Sequence, residues 1–136
     1  MRKYKIITIE NDEDEQFFMK EGFDKCGLFN VMAQLKNGDE LFDWFRDNPT
    51  NQPEVILTDL NMPGKNGYDI LDDVTSNANL SHIPVIITST SYAKSIIDKC
   101  FAKGAAEYLV KPDTFIEYEP FVNNLYKIIE EKKLVK

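Results

Sequence analysis

The sequence predicts an α/β fold: five parallel strands in one open sheet, with helices on both faces. Three observations carry that expectation. Short runs rich in Val, Ile, Leu and Thr recur five times along the 136 residues, and β-branched side chains suit a buried pleated sheet. Stretches with apolar residues at three-to-four spacing separate them, the period of a helix lying on a core. Turn and cap residues (Asn, Asp, Gly, Pro) punctuate the joins. Strands alternating with helices imply parallel pairing through helical crossovers, with both faces of the sheet covered.

The first strand is Tyr4 to Ile9, followed by five acids in the six positions from Glu10 to Glu15. A helix follows, with Phe18, Gly22 or Phe23, and Cys26 at helical spacing and Gly27 as its stop. Asp12 and Glu15 have the spacing of a capping box, so part of the acidity starts this helix. Val31 to Leu35 is the second strand. Asn37-Gly38 turns the chain, Asp39 caps a short helix carrying Leu41, Trp44 and Phe45, and Asn48-Pro49 ends it.

Val55 to Thr58 leads the third strand to Asp59, and Met62-Pro63-Gly64 with Asn66-Gly67 forces an immediate reversal. A brief helix over Tyr68 to Val74 and a loop over Ser76 to His82 follow. Ile83 to Ser89 is the fourth strand, with Pro84 near its start, where a missing N–H is tolerated. The fourth helix runs from Ser91 to Lys103, with Ile96, Ile97, Cys100 and Phe101 as its apolar face, and Gly104 closes it. Glu107 to Val110 is the fifth strand. The last helix lies within Phe115 to Leu134, with Pro120 in its first turn and Phe121, Val122, Leu125, Ile128 and Ile129 buried.

Right-handed crossovers leave few topologies, and the flavodoxin-like order 2-1-3-4-5 is a common one, a three-layer sandwich. Its switch point lies between the first and third strands, so the acids after strand one and Asp59 after strand three meet in one crevice. Ser89 and Lys111, at the carboxyl ends of strands four and five, face the same edge. Clustered carboxylates repel unless a cation joins them. Oxygen ligands suit Mg²⁺, Lys111 adds a fixed positive charge and Ser89 a hydroxyl, which together describe a pocket for a small dianion with Asp59 as nucleophile.

Composition narrows the function classes. A net charge of −7 argues against nucleic acid as a direct partner. No apolar run approaches the roughly 20 residues of a membrane helix, and the start of the chain is too short in apolar residues for a secretory signal, so a cytoplasmic protein is expected. Cys26 and Cys100 have no ligand-spaced neighbours and read as two buried thiols. His82 lies in a loop and reads as exposed and silent.

The ordered blocks, acids after strand one, DLNMPGKNG after strand three, PVIITS at strand four and GAAEYLVKP at strand five, resemble a two-component response-regulator receiver domain of the CheY-like type. Asp59, Ser89 and Lys111 stand at that family's spacing. The resemblance implies that Asp59 accepts a phosphoryl group from a sensor histidine kinase or phosphotransfer protein. It implies Mg²⁺ held by Glu10, Asn11, Asp59 and the backbone carbonyl of Asn61. Lys111 would pair with the phosphoryl oxygens, Ser89 would move inward to bond one of them, and Tyr108 is the aromatic that rotates with it. Asn61 and Ser91 would flank the path of the hydrolytic water. The protein is expected to be a switch rather than an enzyme.

One departure stands out: Asn11 occupies the position of an acidic metal ligand, and a neutral amide binds Mg²⁺ more weakly. Three readings stay open: a weakened working site, compensation by Asp12 or Glu13, or a pseudo-receiver that acts as a binding module without phosphorylation. The chain is expected to be a single receiver domain over residues 1–136 without an output domain, similar to the small receivers that include those serving bacterial phytochrome-type kinases. Output would then go through protein contacts, with the fourth helix, fifth strand and fifth helix as the usual face for a target or a homodimer. A flavin carrier is disfavoured, because acids rather than a Gly/Ser/Thr phosphate loop follow strand one. An aspartyl hydrolase would want an acid where Asn61 stands.

Overall fold

The computed structural model describes residues 1–113 and 117–136. Five strands, β1 (Tyr4–Ile9), β2 (Phe29–Leu35), β3 (Val55–Asp59), β4 (Val85–Ser89) and β5 (Glu107–Val110), alternate with five helices, α1 (Glu13–Cys26), α2 (Gly38–Asp47), α3 (Gly67–Thr75), α4 (Lys94–Ala102) and α5 (Tyr118–Glu131). The strands form one sheet in the order β2-β1-β3-β4-β5, and every neighbouring pair is parallel. The expected fold class and strand order therefore hold.

Alternation along each strand divides the core between the two faces of the sheet. Ile7, Ile9, Ile56, Val85 and Ile87 pack with Leu41, Ile70, Leu71, Val74 and Cys100, under α2, α3 and α4. Tyr4, Ile6, Val55, Leu57, Ile86 and Leu109 pack with Met19, Phe23, Val122, Leu125 and Ile129, between α1 and α5. These last two helices approach closely: a Cβ added at Gly22 would stand 2.9 Å from the Tyr118 carbonyl oxygen. The β1–β2 ladder is regular except for a register shift, with Ile6 opposite Val31 and Ile7 opposite Ala33, which leaves Met32 unpaired.

Element boundaries move where local hydrogen bonding overrides periodicity. β2 begins at Phe29, two residues before the expected Val31, and Phe29 is buried among Tyr4, Phe23 and Tyr126. The cap of α2 is Asn37, whose side chain accepts from the Glu40 N–H, and not Asp39. α3 carries a full capping box between Asn66 and Asp69, so it starts at Gly67. β4 starts only after Pro84, at Val85.

α4 starts at Lys94 rather than Ser91, because the Ser89 and Ser91 hydroxyls accept from the N–H groups of Ser91 and Ala93 and hold those residues in turns. Of its expected apolar face, Cys100 is buried and Ile96 and Ile97 are half-buried, whereas Phe101 is exposed. The expected start of the last helix at Phe115 lies outside the described residues; α5 runs from Tyr118 with Pro120 in its first turn. Ile128 is half-buried rather than buried, and Tyr126, not assigned to that face from the sequence, is buried. Cys26 is likewise only half-buried.

Candidate functional site

Glu10, Asp59 and Lys111 each follow or end a strand, and each shares a sheet face with Ile6, Leu57 and Leu109, the face toward α1 and α5. This parity, combined with the strand order, brings together residues far apart in sequence. Lys111 Nζ stands 2.6 Å from Glu10 Oε1 and 3.3 Å from Asp59 Oδ1. All three are almost fully buried. The Lys111 backbone is pinned as well, its N–H donating to the Ser89 carbonyl at 2.8 Å.

A fourth charged group, unforeseen in this role, completes the cluster. Glu15, in the first turn of α1, places Oε2 2.6 Å from Lys111 Nζ. The capping box expected of Asp12 and Glu15 is only half formed. Asp12 accepts from the Glu15 N–H at 3.0 Å, but the Asp12 N–H donates to Glu10 Oε2 at 3.3 Å, and the Glu15 side chain crosses the crevice to Lys111. The signal for it was the placement of a long acid in the first turn of a helix that starts over the same sheet edge. Tyr118, at the start of α5, was also missed; it is 3% exposed, and its phenol senses the charges of Glu15, Lys111, Glu10 and Asp59.

Three carboxylates share one ammonium, and the titration behaviour follows. Burial, reinforced by the neighbouring Glu10, pushes the Glu15 carboxyl up to about 7 against the pull of Lys111. Burial also raises Asp59, with Lys111 opposing. Burial works to lower Lys111, yet its hydrogen bonds to Glu10 and Glu15 outweigh this and hold it above the usual lysine range. Burial raises the Tyr118 phenol. The pocket is short of positive charge.

Other predicted site residues are not drawn into the cluster. Asn11 and Asn61 are exposed. Asp12 caps α1, and Glu13 is exposed and pairs with Lys36 at 3.4 Å, so neither points its charge at Lys111. Ser89 is buried at the end of β4, but its hydroxyl accepts from the Ser91 N–H at 3.2 Å. Tyr108 is buried, and its hydroxyl donates to the Ser91 carbonyl at 2.9 Å. Thr88 lies beside Asp59 in the β3–β4 register, and its buried hydroxyl has no partner among the described residues. Behind Asp59, a Cβ at Gly67 would come within 3.0 Å of the Asp59 carbonyl oxygen, so only glycine lets α3 begin this close.

Hard oxygen donors with excess negative charge fit a divalent cation such as Mg²⁺. Among the described residues no three acidic, His or Cys side chains are arranged to hold a metal by themselves.

The sequence model of the response regulator receiver domain matches residues 6–118. The chain belongs to this family. Among curated relatives of the receiver domain, the two-component response regulator-like protein PRR37 of Oryza sativa subsp. indica is 28% identical over 108 residues, covering 79% of this chain and 14% of that protein. The chain thus spans a small fraction of the length of that relative. A probable methanogenesis regulatory protein, FilR2 of Methanothrix harundinacea, is 22% identical over 123 residues, 88% of this chain and 79% of its own.

Solved receivers share the fold. The phosphorylated cyanobacterial phytochrome response regulator RcpA superposes with a TM-score of 0.82 at 22% identity, over 93% of each chain. The Mn²⁺-bound response regulator Rcp1 gives 0.78 at 20% identity, over 91% of this chain and 92% of its own. A receiver domain from Rhodospirillum rubrum gives 0.81 at 24% identity, over 93% of each. Among the described residues no helix is long and apolar enough to cross a membrane.

Proposed function

We propose that this receiver domain is a phosphorylation-activated switch in which Asp59 takes a phosphoryl group from a phosphohistidine of a sensor kinase or phosphotransfer protein. The observation that carries the reading is the buried Asp59 carboxylate at the carboxyl end of β3, 3.3 Å from Lys111. An Asp59 oxygen forms the new O–P bond while the P–N bond to the donor imidazole breaks, its electron pair leaving with the nitrogen. Lys111 neutralises charge on the phosphoryl oxygens through charge-assisted hydrogen bonds. Glu10, Asp59 and the Asn61 carbonyl, with Asn11 as a neutral fourth donor, are the residues that would hold Mg²⁺. When bound, the metal would offset the negative charge of the acyl phosphate.

Ser89 would exchange its bond from the Ser91 N–H for one to a phosphoryl oxygen, and Tyr108, already bonded to Ser91, would carry that change to the β4–α4 connection. The readout is then a population shift at a protein-binding face, α4-β5-α5, toward a target or a second copy.

Incubation with acetyl phosphate and Mg²⁺ tests the reading: a mass gain of about 80 Da, lost in Asp59→Ala, is expected. The same assay on Asn11→Asp should show tighter Mg²⁺ dependence. The neutral, exposed side chain of Asn11, where the family has an acidic metal ligand, supports a second reading, a binding module that works without phosphorylation. Absence of any mass gain in both the wild type and Asn11→Asp would select it.

A further inference from the structure

A glutamate at the third position of a helix ordinarily turns back to the cap residue's N–H. Glu15 does not. That N–H is taken by Glu10, and the Glu15 carboxylate instead lies 2.6 Å from Lys111, closer than Asp59 at 3.3 Å. An ammonium offers three hydrogens, and here three carboxylates claim them.

A phosphoryl group on Asp59 replaces that carboxylate's single negative charge with close to two and brings three acceptor oxygens to the same ammonium, so one of the other partners has to yield. Glu10 is poorly placed to do so: it is 2% exposed, sits at the end of β1 and also accepts from the Asp12 N–H. Asp59 carries the incoming group. Glu15 has a side chain 23% exposed, in the first turn of α1 at the mouth of the crevice, and can swing to solvent without moving the helix, whose cap is supplied by Asp12.

We propose that Glu15 is a displaceable counter-ion: it holds Lys111 in the unphosphorylated state and competes with the phosphoryl group for it. Glu15 is thus a positioning residue acting through Lys111. The inference rests on the phosphoacceptor reading of Asp59. It gives the switch an internal set point, since the strength of the Glu15–Lys111 pair subtracts from whatever the phosphoryl group gains at Lys111. Removing the Glu15 charge should therefore favour the phosphorylated form while leaving the nucleophile untouched.

The test is titration of the 136-residue chain with beryllium trifluoride, a phosphoryl mimic, at saturating Mg²⁺, for the wild type, Glu15→Gln and Glu13→Gln. Glu15→Gln keeps the side chain's size, and Glu13→Gln makes the same charge change two residues away, on the exposed surface. The expected result is about tenfold tighter binding by Glu15→Gln, equivalent to about 1.4 kcal/mol, with Glu13→Gln unchanged. A separate Mg²⁺ titration without the mimic should show no gain in metal affinity for Glu15→Gln, which assigns the effect to the anion.

Binding by Glu15→Gln alone, with none by the wild type, supports the proposal in the same direction. Equal or weaker binding by Glu15→Gln, the same gain in Glu13→Gln, or binding by neither protein overturns it. Failure of the phosphoacceptor reading is seen separately, as no mass gain from acetyl phosphate in the wild type and Asn11→Asp.

Discussion

The Tyr108 hydroxyl donates to the Ser91 carbonyl at 2.9 Å, tying the middle of β5 to the connection between β4 and α4. Ser91 is also the residue whose N–H the Ser89 hydroxyl accepts, so both predicted switch residues hold the same loop position. Tyr108→Phe keeps the ring in its buried place and removes only this bond. It should cost about 1 kcal/mol in urea unfolding and speed hydrogen exchange at the amides following Ser91. Unchanged exchange there would show that the bond does not restrain the loop.

Lys111 is the common partner of three carboxylates, and breaking a buried pair leaves its partners uncompensated. Lys111→Met should lower stability by about 3–5 kcal/mol at neutral pH, measured by urea denaturation. Asp59→Asn removes one of three competing acids while Lys111 keeps two, so it should be neutral or stabilising by about 1 kcal/mol. A destabilised Asp59→Asn would mean that Asp59, and not Glu10, is the main anchor of Lys111.

Stability should depend on pH through Glu15, whose carboxyl is pushed up to about 7. The unfolded chain releases this proton near the ordinary glutamate value of about 4.3, so between those values the native state binds more protons. Native stability therefore falls as pH rises through that window, being fully present below it and lost above about 7. In magnesium-free buffer the unfolding free energy should drop by about 2 kcal/mol between about pH 5 and about pH 8, and Glu15→Gln should remove most of the drop. A flat wild-type profile would place Glu15 outside the cluster in solution.

Gly22 lets α1 and α5 touch. Gly22→Ala gains up to about 1 kcal/mol of helix propensity but drives a methyl to within 2.9 Å of the Tyr118 carbonyl oxygen and 3.2 Å of Val122. The clash should win, lowering stability by about 1–3 kcal/mol in thermal or urea unfolding. An alanine variant as stable as wild type would show that α5 shifts freely.

The sheet was legible because its signal is local and repeated: Tyr4–Ile9, Val55–Asp59 and Glu107–Val110 are apolar runs whose parity places Glu10, Asp59 and Lys111 on one face. Helix starts were less so. Asn37 outcompetes Asp39 as a cap, and the hydroxyls of Ser89 and Ser91 delay α4 to Lys94, since several nearby polar side chains can satisfy the same N–H groups. Glu15 was read as a local cap partner because the residue that claims it, Lys111, lies at the far end of the chain. Periodicity also put Phe101 inward, although on α4 it is Cys100, flanked by the half-buried Ile96 and Ile97, that meets the core.

The register shift that leaves Met32 unpaired sits on β2, an edge strand of the sheet. An open edge is a template for a foreign strand, and a bulge both interrupts the ladder and twists the strand away from flatness. The opposite edge, β5, is only four residues long. Neither border offers a long straight run to an incoming chain, which disfavours edge-to-edge pairing through the sheet.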